Sequence, residues 1–137
     1  MGIDLGTDNY CFACGTENPI GLKLKFEYTS GGVVANFTPG KEYQGYINLV
    51  HGGILSTLMD EAMAYAILSR EMKAITARMA VSFKKPTRIG ERLTINGRII
   101  EKKGKLIKTS ANISQNGMIT AEATADFIIV SESEIGG

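Results

Sequence analysis

Leu22, Leu24 and Phe26 alternate with Lys23, Lys25 and Glu27, the two-residue period of a half-buried strand. Gly31-Gly32 then supplies a turn into a second strand, Val33 to Phe37, and Pro39-Gly40 ends the hairpin. The following stretch, KEYQGYINLV, has no clear period and leads to His51-Gly52-Gly53. From about Gly52 to Arg70 the spacing becomes helical, and no proline interrupts it. Ile54, Leu55, Leu58, Met59, Ala62, Met63, Tyr65, Ala66 and Leu68 cover more than one face, which predicts a helix wrapped by other structure. Its single small or polar stripe is Gly53, Thr57, Asp60 and Ala64, at i, i+4, i+7 and i+11.

Strand patterns fill the rest of the chain. Ala74 to Lys84 ends at Pro86, Glu91 to Lys103 ends at Gly104, and Lys105 to Gln115 turns through Asn116-Gly117 into Met118 to Val130. The order β-β-α-β-β-β-β predicts an α+β fold, a curved antiparallel sheet folded around one long central helix. The chain reads as a single domain over 1–137, with 1–20 a loop segment and 132–137 a frayed tail.

Charge narrows the partners. Fifteen basic and 14 acidic side chains nearly cancel, and no segment concentrates Lys and Arg, so nucleic acid is not an expected partner. The N-terminal MGIDLGTDNY carries acids where an export signal carries a basic stretch and an apolar run. The apolar region 54–68 is broken by Ser56, Thr57, Asp60 and Glu61, which a bilayer-spanning helix rarely tolerates. A soluble cytoplasmic protein that does not engage membrane is the expectation.

Cys11 and Cys14 form one CxxC, half of a tetrahedral zinc site, and a metal would need two more ligands. A redox pair would open a helix, whereas CFACGTENPIG runs into turn chemistry at Asn18-Pro19 and Gly21. Reduced, packed thiols with a local structural role are expected here, with no metal and no cofactor.

The chain has one histidine, His51, and Asp60 is a carboxylate in an otherwise apolar helix that must be satisfied or used. In the plainer reading, Asp60 is tied to backbone or hydroxyl partners and only fixes the helix. Its neighbour Glu61 points about 100° away and reads as a solvent or subunit-contact residue. Gly52 and Gly53 leave N–H groups uncovered at the positive end of the helix, where they can polarise a carbonyl, unless they serve only to turn the chain. Gly52 and Asp60 lie about 12 Å apart along a helix, too far to act on one group. Two such helices packed antiparallel across a two-fold axis would bring each Gly52 beside the other subunit's Asp60.

The segment GYINLVHGGILSTLMDEAMAYA resembles the HGG-x6-D signature of hotdog thioesterases related to the phenylacetate-pathway (PaaI-like) acyl-CoA thioesterases. ARMAVSFKKPTRIGERL is similar to the strand that follows it in that family, and CFACGTENPIGLKLKF to the opening of one branch. The resemblance implies a hotdog fold, pairs of subunits joining sheets edge to edge, and hydrolysis of an acyl-CoA thioester. By position it implies Asp60 as catalytic acid or base, Gly52 as the amide that polarises the carbonyl, His51 as the residue preceding it, and Thr76 as a water-positioning hydroxyl. The family pattern has Asn where this chain has Gly45, with Gln44 and Asn48 as nearby substitutes.

Two mechanisms are compatible with these residues, Asp60 as general base toward water or as nucleophile giving a mixed anhydride. Gly53 and Thr57 are candidate substrate or water contacts, and Thr57 could equally satisfy local backbone. Lys84, Lys85 and Arg88 flank Pro86, where mobile positive charge could meet CoA phosphates. The rival readings are a hotdog enoyl-thioester hydratase or dehydratase, a noncatalytic acyl-CoA-binding module, and more remotely a Cys-based hydrolase using Cys11 or Cys14 with His51. A homodimer is expected, with further pairing into a homotetramer left open.

Overall fold

Residues 5–130 are described by the structure, a computed structural model; the tail expected to fray lies outside them. The strands are β1 (Glu27–Thr29), β2 (Gly32–Phe37), β3 (Ala74–Phe83), β4 (Leu93–Lys103), β5 (Leu106–Gln115) and β6 (Met118–Ile129). They form one antiparallel sheet in the order β1-β2-β4-β5-β6-β3. Helix α1 (Gly52–Leu68) lies in the curve of this sheet, the hotdog arrangement that the sequence implied. Asn116 and Gly117 both take positive φ (53° and 78°) between paired Gln115 and Met118, the backbone that a two-residue turn with the right strand twist needs.

The helix is held by its apolar side. Leu58, Met59, Ala62 and Met63 are fully buried with Leu55, Ala66 and Ile67, against inward residues of the sheet such as Ile95, Ile107, Ile113 and Phe127. Each large side chain so buried contributes about 1.5–3 kcal/mol. Close approach is possible because β4 presents Gly97 to the helix, where a Cβ would stand 2.5 Å from the Ala62 carbonyl oxygen. The Thr57–Asp60 stripe is only half-buried, so the sheet of one chain does not cover the helix on every side.

Several boundaries depart from expectation, β4 starting at Leu93 instead of Glu91 among them. The helix stops at Leu68 instead of Arg70, with Glu71 at φ 59° turning the chain toward β3. Leu22 to Phe26 is not a strand, because Lys23 at φ 55° breaks the extended run. Leu22 and Leu24 are nonetheless buried as alternation demands, and their N–H groups donate to the Phe12 and Ala13 carbonyls at 2.9 Å. This segment is thus paired to the CxxC loop, and the ladder begins only at Glu27.

Candidate active site

Four N–H groups open any helix without intrahelical acceptors, and here three are accounted for. His51 caps α1 from extended backbone (φ −60°, ψ 134°), its Nδ1 accepting the Gly53 N–H at 2.9 Å. The His51 N–H donates to the Tyr43 carbonyl at 2.9 Å and the Ile54 N–H to the His51 carbonyl at 3.0 Å. The Gly52 N–H has no acceptor among the described residues. A neutral His51 that accepts at Nδ1 carries its proton on Nε2, so the ring is a second donor beside Gly52.

Gly52 and His51 line a cavity of about 720 Å³ with Gly45, Tyr46, Leu55, Phe83, Lys84 and Lys85. Of the three basic candidates, Lys84 is paired with Glu122 at 3.0 Å, both half-exposed, while Lys85 lines the cavity and Arg88 is exposed beyond it. Asn48 sits at φ 64°, and its N–H donates to Gln44 Oε1 at 2.9 Å. Gln44 therefore spends its side-chain oxygen on its own loop. The Thr57 hydroxyl donates to the Gly53 carbonyl at 2.9 Å, the local backbone bond of the plainer reading.

Asp60 and Thr76 meet elsewhere. Thr76 Oγ1 donates to Asp60 Oδ1 at 2.7 Å, and neither residue lines the cavity that Gly52 opens on. A β-bulge makes this contact. Thr76 pairs with Phe127 and Arg78 with Asp126, leaving Ala77 as an extra residue. Beyond it, Met79, Val81 and Phe83 pair with Ala125, Ala123 and Ala121, whose side chains face the core. Were Ala77 paired in a regular ladder, Thr76 would share parity with Ser82 on the outer face; the bulge re-aims it at the helix.

A family model for the thioesterase superfamily matches residues 47–127, more than half of the chain. The chain belongs to the thioesterase superfamily. It is 29% identical over 98 residues to the Xenopus laevis acyl-coenzyme A thioesterase THEM4, matching 70% of this chain and 44% of that protein. It is 26% identical over 100 residues to the human acyl-coenzyme A thioesterase 13, matching 72% of this chain and 71% of that one. The chain thus spans less than half the length of the first of these relatives. A crystallised thioesterase superfamily protein superposes with a TM-score of 0.84 at 26% identity, over 90% of this chain and 62% of that one. The Escherichia coli PaaI protein from the phenylacetic acid degradation operon has the same fold, with a TM-score of 0.74 at 20% identity over 80% of this chain and 81% of its own.

Three side chains of this thioesterase superfamily member act in ways its sequence pattern did not assign. Phe83 stands over Gly52, with a Gly52 Cβ position 3.4 Å from its ring. Gln115, 5% exposed, accepts the Arg88 N–H at 2.8 Å and donates to the Arg88 and Glu91 carbonyls, clamping the loop that carries the basic residues. Its signal was available, since Ile107, Thr109, Ala111, Ile113 and Gln115 share the inward parity of β5. Glu61, expected as a solvent or subunit-contact residue, also makes a contact within its own chain. It is half-buried against the N-terminal loop, where its Oε2 accepts from Cys11 Sγ at 3.7 Å. Among the described residues, no helix is long and apolar enough to cross a membrane.

Proposed function

We propose that this protein is a cytoplasmic, homodimeric acyl-CoA thioesterase whose active site is completed across the subunit interface. The observation that carries the reading is the uncommitted Gly52 N–H at the positive end of a 17-residue helix, bordering a cavity of about 720 Å³. Membership of the thioesterase superfamily and the acyl-coenzyme A thioesterase names of the relatives support the chemistry. Strand β3 supports the dimer: it is an edge strand of ten residues, with Ile75 and Phe83 exposed on it, and such an edge is a template for pairing with another chain. Pairing two β3 edges would set each α1 beside its copy, and a dimer of dimers would leave these sites intact.

In this reading the thioester oxygen accepts the Gly52 N–H of one subunit, and Asp60 of the other removes a proton from water. Thr76 supports the general-base route over direct carboxylate attack. Its proton is committed to Asp60 Oδ1, which leaves its oxygen lone pairs to hold the water that Oδ2 deprotonates. The hydroxide adds to the carbonyl carbon, the oxyanion is held by Gly52 with His51 beside it, and collapse breaks the C–S bond. CoA leaves as a thiolate that takes up the proton held by Asp60, and the acyl group leaves as a carboxylic acid that ionises to carboxylate by giving its proton to solvent. Lys85 and Arg88, with no ion-pair partner among the described residues, would meet the CoA phosphates, with Gln44, Asn48, Gly53 and Thr57 shaping the loop and helix start around them.

The test is a panel of acyl-CoA substrates followed by thiol release, on wild type and on Asp60→Asn. Wild type should release CoA from at least one substrate, and the Asn form should be slower by about 10²-fold or more. Full activity in Asp60→Asn would end the proposal. Water addition to an enoyl thioester would favour the hydratase reading, and binding without turnover the noncatalytic module.

A further inference from the structure

Away from the thioester site, the N-terminal loop brings two sulfurs against the central helix. Cys11 Sγ lies 3.7 Å from Glu61 Oε2, and the Cys14 N–H donates to Cys11 Sγ at 3.4 Å. One ligand atom from each of Cys11, Cys14 and Glu61 falls within 4.8 Å of the other two, and among the described residues no other His, Cys, Asp and Glu side chains converge in this way. A tetrahedral zinc ion, with bonds of about 2.3 Å to sulfur and 2.1 Å to oxygen, spaces its donors roughly 3.6–3.8 Å apart. The Cys11–Glu61 separation already matches that spacing.

The loop is built around these sulfurs. A Cβ on Gly15 would stand 2.4 Å from the Cys11 nitrogen and 2.7 Å from its carbonyl oxygen, so only glycine fits the tight turn after Cys14 that returns the Gly15 N–H to the Cys11 carbonyl at 2.8 Å. Burial, and then the Glu61 carboxylate beside it, push the Cys14 thiol up to about 12. Tyr65 is raised too, through its hydrogen bond to Cys14 and its burial.

We propose that Cys11, Cys14 and Glu61 form a binding site for a thiophilic divalent cation, zinc being the best match, which fastens the N-terminal loop to α1 one residue beyond Asp60. The sequence supplied two ligands, and the fold adds the third from the helix. Two thiolates and one carboxylate select zinc over calcium or magnesium, which take all-oxygen shells. Water fills the fourth position. Binding transfers no electrons: each thiol gives its proton to solvent and forms a bond to the metal. The site is structural, and it stands whether or not the thioesterase reading does.

The full chain, reduced and stripped with a chelator, is titrated with Co²⁺ and followed by thiolate-to-cobalt charge-transfer absorption, after which Zn²⁺ is added. One cobalt per chain should bind with the intense visible bands of a tetrahedral site, and zinc should displace it. Cys11→Ser and Cys14→Ser should abolish the charge-transfer band, and Glu61→Gln should weaken binding by about 10-fold or more. Asp60→Asn should bind as wild type does, which separates this site from the catalytic one. Absence of the band in wild type with two titratable thiols would overturn the proposal, as would unchanged affinity in Glu61→Gln. Should a cysteine variant fail to fold by circular dichroism, the wild-type titration and Glu61→Gln still decide. A reduced protein that takes up no metal and closes a Cys11–Cys14 disulfide in air would overturn it as well.

Discussion

Replacing Gly52 by proline deletes one N–H and little else, because the local backbone is already arranged for it. Gly52 is the first residue of α1, the position where proline is favoured since its missing N–H has no intrahelical acceptor. His51, the residue before it, sits at φ −60° and ψ 134°, the extended geometry that a following proline demands. A Cβ there meets the Phe83 ring at 3.4 Å, an ordinary contact, and the deleted N–H has no acceptor among the described residues to lose. Stability should therefore move by no more than about 0.5 kcal/mol, whereas losing an oxyanion donor costs about 2.7–4 kcal/mol of transition-state stabilisation, or 10²–10³ in kcat. The assay is thiol release on an acyl-CoA that wild type hydrolyses, beside a urea titration. Co-expression of Gly52→Pro with Asp60→Asn adds the second arm. If each site takes its amide from one subunit and its carboxylate from the other, mixed dimers hold one intact site in two, and random pairing restores about a quarter of wild-type activity. A Gly52→Pro protein with unchanged kcat would refute the role of the amide. A co-expressed mixture no better than its parents, once mixed dimers are shown to form, would refute the shared site.

Thr76→Val removes the hydroxyl that donates to Asp60 Oδ1; turnover should fall with the sheet intact by circular dichroism, and undiminished turnover would show that the Thr76–Asp60 bond is not used. Gly97→Ala pushes a Cβ against the Ala62 carbonyl oxygen and should lower stability by about 1–3 kcal/mol, read as an earlier urea midpoint. Lys85→Ala with Arg88→Ala should raise KM for acyl-CoA while leaving kcat largely unchanged, and Lys84→Ala alone should change KM less because that cation is paired with Glu122. In chelator-treated Cys11→Ser protein, burial and Glu61 still hold the Cys14 thiol up, so it should react slowly with iodoacetamide at pH 8 and quicken only above pH 9. The same shift has a stability consequence, since the unfolded chain releases this proton above about pH 9 while the native chain keeps it, so stability falls as pH rises from 9 toward 12.

The N-terminal segment separates what alternation can and cannot determine. Leu22 and Leu24 turned inward as their spacing demanded, because burial preference is carried by each side chain. Whether that segment joined the ladder depended on backbone partners, and Lys23 in the left-handed region gave it to the CxxC loop instead. Gln115 was similarly legible as an inward polar position on β5, but the loop it clamps comes from 27 residues away.

By itself the chain determined one apolar helix opened by His51-Gly52-Gly53, the strands around it, the Asn116-Gly117 turn and a carboxylate at Asp60 on the helix's small or polar stripe, all of them properties of spacing and local backbone preference. Tertiary structure decided how those residues are used. It placed β3 at the sheet edge, and it put the extra residue Ala77 opposite β6, so that Thr76 reaches Asp60. It let His51 take the Gly53 N–H and leave that of Gly52 free, and it set Glu61 against two cysteines. Strand parity is a local rule, but a bulge exists only relative to a partner strand. A side chain's chemical role is likewise fixed by neighbours distant in sequence, which no periodicity along a single chain encodes.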